Sequence, residues 1–157
     1  MHETERSAAA LTAEDRLEIQ ELIARYNRAV DGGDADGWVD TFTPDGVFES
    51  LLVGVHRGHD ELRAFADDFV AGSYDAWTGG QHWIGSVIID GDRAKADVFS
   101  YHIMYVPVEH EVRGVLMAAH QDEAVLTANG WRFSLRRLIP WPPGSDRHRW
   151  DARPRSS

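Results

Sequence analysis

Apolar side chains recur at three- and four-residue steps near the start of the chain, where Ile19, Leu22, Ile23, Tyr26 and Val30 share one face of a helix over residues 12–30. Thr12 followed by Asp15 resembles a capping-box start, and Asp31-Gly32-Gly33 supplies the backbone freedom that ends a helix. A short second helix from Asp34 turns Trp38, Val39 and Phe42 inward. Thr43-Pro44-Asp45-Gly46 then punctuates the chain, residues 47–52 read as a short strand, and Arg57-Gly58 closes that unit. A third helix over 60–70 buries Leu62, Phe65, Phe69 and Val70, whose aromatic rings read as core.

Beyond Gln81 the period changes to two. Strands are expected over 82–89, 94–106, 112–127 and 131–139, with Asp90-Gly91-Asp92 and Asn129-Gly130 as hairpin turns. Helices followed by a meandering antiparallel sheet make an α+β protein, not a βαβ one. Alternation puts His82, Ile84, Ser86 and Ile88 on one face. A three-residue loop at Asp90-Gly91-Asp92 continues that face as Ala94, Ala96, Val98, Ser100, His102 and Met104, whereas a two-residue loop sends His102 to the other side. The apolar, small-residue character of the first set favours it as a cavity lining. On the next strand Leu116, Ala118 and His120 share one alternation, and Met117, Ala119 and Gln121 the other. Trp83, Val87, Phe99, Tyr101, Ile103 and Tyr105 are candidates for an apolar outer face.

The length suits a single domain, taken as residues 11–141 between a flexible segment 1–10 and a tail 142–157. A net charge of −10 opposes binding to nucleic acid or an anionic membrane surface. The basic cluster Arg147, Arg149, Arg153 and Arg155 does not reverse this, because Asp146 and Asp151 interrupt it. Without cysteine there is neither a disulfide framework nor a thiol nucleophile, and residues 1–10 lack the apolar core of a signal peptide. A soluble cytoplasmic protein is expected. The histidines lack the HxH and HExxH spacings, so no metal is expected, and His56 and His59 read as surface residues.

Asp31 is oddly placed. A carboxylate in the last helical turn faces the negative end of the helix dipole, at a cost of a few tenths of a kcal/mol up to ~1. It is either a solvated Asp-Gly turn residue or a base set against that rule.

The chain resembles the nuclear transport factor 2-like superfamily, in its SnoaL-like branch. The likeness is carried by Tyr26 through Asp31, Phe42-Thr43-Pro44-Asp45-Gly46, Arg57-Gly58, His82, Asp90-Gly91-Asp92-Arg93-Ala94 and Gly130-Trp131-Arg132-Phe133. It implies a cone-shaped α+β barrel, in which three N-terminal helices close a curved antiparallel sheet around an apolar pocket. Gln81-His82-Trp83-Ile84-Gly85 and Tyr101-His102 through Val106-Pro107 are similar to scytalone dehydratase, although Val30 and Ser50 stand where that enzyme has tyrosines. The separation of Tyr26 from Asp31 is similar to that in bile-acid dehydratase, and Arg137 matches a pocket arginine of a dehydrochlorinase branch.

The resemblance implies a cofactor-independent lyase, a dehydratase removing water from a small hydrophobic or aromatic substrate such as a polyketide-derived one. Asp31 and His82 would form the dyad, with Tyr26 and His102 as the other catalytic groups. Phe48, Ser50, Trp77, Trp83, Met104, His120 and Arg137 would contact substrate. Cyclisation, isomerisation or dehydrohalogenation in the same pocket is an alternative. So is a noncatalytic ligand-binding role like that of a dioxygenase small subunit. Relatives also imply a homo-dimer or homo-trimer.

Overall fold

The computed structural model describes residues 8–50, 52–74, 77 and 79–142. The arginine-containing tail therefore lies outside the described residues. Helix α1 (Ala13–Gly32) begins with the anticipated capping box: the Thr12 hydroxyl accepts from the Asp15 N–H at 3.0 Å, and the Asp15 carboxylate accepts from the Thr12 N–H at 2.9 Å. Asp15 is buried and also accepts from the Trp131 indole at 3.3 Å and pairs with Arg93 at 3.2 Å. These partners, the Thr12 backbone N–H foremost, hold its carboxyl below the usual range against the opposing effect of burial. One residue thus starts the helix and fastens it to the sheet. At the other end Gly33 adopts a left-handed φ of 73° and donates to the carbonyls of Ala29 and Val30.

Helices α2 (Ala35–Val39) and α3 (Gly58–Val70) complete the helical layer. The strands are β1 (Phe42–Ser50), β2 (Gly54–Arg57), β3 (Gln81–Gly91), β4 (Ala96–Val108), β5 (Glu111–Thr127) and β6 (Gly130–Pro140). They form one six-stranded sheet in the order β2-β1-β6-β5-β4-β3, with β1 parallel to β6 and every other neighbouring pair antiparallel. The architecture is α+β, as the change of period implied. Phe42 opens β1 instead of extending the second helix, and the pairing of β1 with β6 skips from Phe42↔Phe133 to Val47↔Leu135 across Thr43-Pro44-Asp45-Gly46. Strand β2 is new relative to the sequence reading. It is a four-residue edge whose pattern carries no apolar alternation.

Two irregularities decide which side chains face inward. In β3 the register shifts between Gly85 and Ile88, and Ser86 takes a φ of +52°. This bulge breaks the expected alternation, leaving Ser86 and Ile88 exposed and turning Val87 and Ile89 onto the core. Val87 is therefore not part of the outer face. The hairpin pairs Gly91 with Ala96, a register that would put His82 and His102 on opposite faces if it ran unbroken. The one-residue bulge restores their common face, with Ile84 opposite His102 and His82 opposite Met104. In β6 a second shift follows Phe133, so that Arg136 and Leu138 face inward with Trp131 and Phe133. Regular alternation from Trp131 would have chosen Leu135 and Arg137.

The core divides in two. Ile19, Leu22, Trp38, Phe42, Phe65, Trp131 and Phe133 anchor a larger cluster between helices and sheet. Trp38 is its hub, with Tyr26, Phe42, Phe48 and Phe65 all at ring-centroid distances of 5.0 to 5.8 Å. Met104, Val106, Val115, Leu116, Ala118 and Leu138 form a smaller cluster farther along the sheet. Among the described residues no helix is long and apolar enough to cross a membrane.

The left-handed backbone at Ser86 costs about 1–2 kcal/mol for a residue bearing a Cβ. Ser86→Gly should therefore leave the fold intact and raise the urea midpoint, whereas β-branched Ser86→Val should lower it. Equal midpoints for the two variants would contradict the bulge.

Candidate functional site

A cavity of about 490 Å³, counted with its mouth, opens between the helices and the inward face of the sheet. Its walls are mainly apolar, from Val30, Trp38, Phe48, Leu52, Phe65, Phe69, Trp77, Met104, Leu116 and Leu138. Polar groups gather on one side, where Tyr26, Ser50, His82, His102 and His120 also reach the lining. A mostly apolar enclosure with a few convergent polar groups is the usual form of a small-molecule site.

Asp31 and His82 meet at this wall. The His82 Nδ1 lies 2.6 Å from Asp31 Oδ1, and the His82 backbone N–H donates to both carboxylate oxygens at 3.1 and 3.2 Å. With Nδ1–H donated to the carboxylate, Nε2 remains as the basic atom. The unfavourable dipole position of Asp31 costs on the order of 1 kcal/mol, while hydrogen bonds to a charged group are worth ~1.5–3 kcal/mol each. The partners win, and the helix end holds the carboxylate at the first residues of β3.

From His82 the imidazoles form a stacked row. The ring centroids of His82 and His102 are 5.1 Å apart and those of His102 and His120 5.0 Å apart, with interplanar angles of 20° and 17°. His102 and His120 are each 2% exposed, and among the described residues neither ring nitrogen of either makes a hydrogen bond. Burial, then the electrostatic influence of neighbouring His82 and Arg136, pushes His102 well below the ordinary histidine range. Burial, Arg136 and the two neighbouring histidines do the same to His120. Both are neutral at physiological pH. Among the described residues no three metal-ligating side chains converge.

Behind this row lie two residues that sequence reasoning missed. The Arg136 side chain is fully buried and its Nη1 donates to Asp122 Oδ2 at 2.8 Å. Its guanidinium carbon lies 4.1 Å from the centre of the Tyr26 ring. Burial pushes the Asp122 carboxyl up to about 7, with Arg136 and the Arg137 N–H pulling the other way. Burial likewise raises the Tyr26 hydroxyl, which stays protonated as a donor. An Asp and an Arg at alternate inward positions of long strands were the available signal, but only the β6 bulge tells Arg136 from Arg137.

Two expected substrate contacts lie elsewhere. Trp83 is 61% exposed on the outer face, because strand alternation turns it away from its neighbours His82 and Ile84. Arg137 also points outward and pairs with Glu49 at 3.3 Å, having been displaced by the β6 bulge. Phe48, Ser50, Trp77, Met104 and His120 line the cavity. His56 and His59 are half-buried, with His56 packed on Phe65 at a centroid distance of 4.5 Å and His59 hydrogen-bonded to the Phe42 carbonyl at 3.2 Å.

The family model of the SnoaL-like domain matches residues 11–137. An uncharacterised protein of Mycobacterium tuberculosis is 29% identical over 125 residues, which cover 78% of this chain and 82% of that one. An NTF2-like protein with a cystatin-like fold from Novosphingobium aromaticivorans superposes with a TM-score of 0.74 at 26% identity, covering 85% of each chain. A provisionally named scytalone dehydratase from the same organism superposes with a TM-score of 0.67 at 18% identity, over 82% of this chain and 87% of that one, a likeness of fold.

Histidines held neutral have a cost in acid. Their folded values lie below the unfolded 6.5, so the stability they permit is complete above that value and is lost as pH falls toward the folded values. The urea midpoint should therefore decline below about pH 6.5, and His120→Leu should flatten that decline. An unchanged slope in the variant would show that His120 does not contribute.

Proposed function

The chain belongs to the SnoaL-like domain family, and on that premise we propose that it is a cofactor-independent lyase, a dehydratase acting on a small hydrophobic or aromatic substrate. The observation that carries this reading is the 2.6 Å contact of Asp31 with His82 Nδ1, on a histidine that also lines an apolar cavity. Nε2 of His82 takes a proton from a carbon adjacent to a carbonyl or a leaving group. Asp31 fixes the ring tautomer and stabilises the imidazolium. As the C–H electrons form the new double bond, the hydroxyl departs, and the proton held by His82 leaves with it as water. Tyr26 or neutral His102 hydrogen-bonds the developing oxyanion. Cyclisation or isomerisation can begin from the same deprotonation, and the identity of the product separates them from dehydration.

The test is a panel of β-hydroxy ketones and hydroxylated cyclohexenones, followed by the absorbance of the conjugated product. With a substrate in hand, His82→Ala should lower single-turnover rates by roughly 10² to 10⁴, with a smaller loss of affinity. Asp31→Asn should also slow turnover while largely preserving the pocket. Wild-type rates in both folded variants would remove the dyad from the mechanism, and inhibition by a chelator that added metal reverses would replace it with metal chemistry.

Self-association is part of the same reading. Trp83 and Tyr101 are exposed at 61% and 39%, and Phe99, Tyr101 and Trp141 pack together on the outer face at centroid distances of 5.0 to 5.8 Å. A homo-dimer or homo-trimer would cover this strip. Light scattering at micromolar concentration should give a multiple of the chain mass, and a monomer would count against the assembly.

A further inference from the structure

The polar wall of the cavity is backed by a buried ion pair that the proton-transfer scheme does not use. Arg136 of β6 donates to Asp122 of β5 at 2.8 Å, and both side chains are fully buried. The other Asp122 oxygen accepts from the Arg137 N–H at 3.2 Å and lies 3.7 Å from His120 Nδ1. The guanidinium also covers the ring of Tyr26 at 4.1 Å and that of Phe133 at 4.7 Å. Well-packed apolar residues often match or exceed a buried pair in stability, so stability alone is a weak reason for this one.

Its placement supplies a better reason. The stacked histidines have Asp31 of α1 beside His82 of β3 at one end and, at the other, the Asp122–Arg136 pair, whose carboxylate beside His120 of β5 is claimed by the arginine. Among the described residues the remaining titratable group facing the row is Tyr26 of α1, while β1 and α3 contribute Phe48, Ser50, Phe65 and Phe69 to the cavity. We propose that the Asp122–Arg136 pair is a positioning element that keeps the two inner imidazoles, His102 and His120, neutral. Arg136 seats Tyr26 and, through Asp122, the ring of His120, and its positive charge makes the two inner imidazoles poor proton acceptors. His102 and His120 remain neutral hydrogen-bonding groups throughout. The catalytic consequence rests on His82 acting as base, but the protonation pattern belongs to the ligand-free protein.

Ring-resolved NMR titration of the ligand-free chain tests this without substrate. In the wild type, His102 and His120 should stay neutral well below the ordinary value of ~6.5. Arg136→Met should raise both titration midpoints by about one pH unit, a tenfold easier protonation. Arg136→Lys, which keeps the charge, should leave them low. If Arg136→Met fails to fold with Asp122 unpaired, the double variant Arg136→Met/Asp122→Leu removes the whole pair and should also raise the midpoints. Wild-type midpoints in the folded variants, or a wild-type His102 or His120 that titrates near neutrality, would overturn the proposal. In turnover, the acid limb of the pH profile should move in Arg136→Met and return in Arg136→Lys. Should His82→Ala retain full turnover while the titrations behave as expected, His82 is not the base and the positioning role stands.

Discussion

The last turn of α1 is tied to the edge strand of the sheet by Asp31, and the cavity depends on that tie. Strand β3 lies at the end of the strand order, so among the described residues its outer backbone groups have no further strand to pair with. Asp31 takes the His82 N–H on both oxygens and the imidazole on one. With Arg16 of α1 donating to the Ile89 carbonyl farther along β3, this carboxylate fastens the open side of the sheet to the helix, and it sets the tautomer of a histidine at the cavity wall. Its position at the negative end of the helix dipole is worth less than the hydrogen bonds it accepts, which is why the arrangement is stable.

The rest of the polar wall follows from how few charges a dry enclosure tolerates. Three imidazoles stacked at about 5 Å repel one another when protonated, and two of them are almost wholly out of water. A lone carboxylate at one end and a carboxylate paired with a guanidinium at the other break the symmetry of the row. Chemically similar side chains therefore differ in electrostatic character by position alone. The apolar remainder of the cavity strengthens the difference, since it offers no competing hydrogen bonds and little solvent screening.

Much of the architecture was legible in local pattern. The capping box at Thr12 and Asp15, the Gly33 stop, the helical faces and the Asn129-Gly130 hairpin depend on residues close in sequence, and the structure has them where the pattern put them. Asp31 stood out because it breaks a local electrostatic preference. The irregular start of β1 and the short edge β2 were not legible, since neither has the period that marks a strand.

The sequence by itself determined the order of elements, the apolar faces and the presence of a carboxylate and histidines able to share a wall. Tertiary structure alone decided which side chains face that wall, because each one-residue bulge reverses every later side chain in its strand. The bulge at Ser86 returned His82 and His102 to one face, and the shift after Phe133 brought in Arg136 and turned Arg137 out to Glu49. The pairing of Asp122 with Arg136 was equally a tertiary outcome, since it follows from the register of β5 on β6. Bulges are chosen by the fit of a whole strand against its neighbours and the curvature of the sheet, and no short window of residues carries that information.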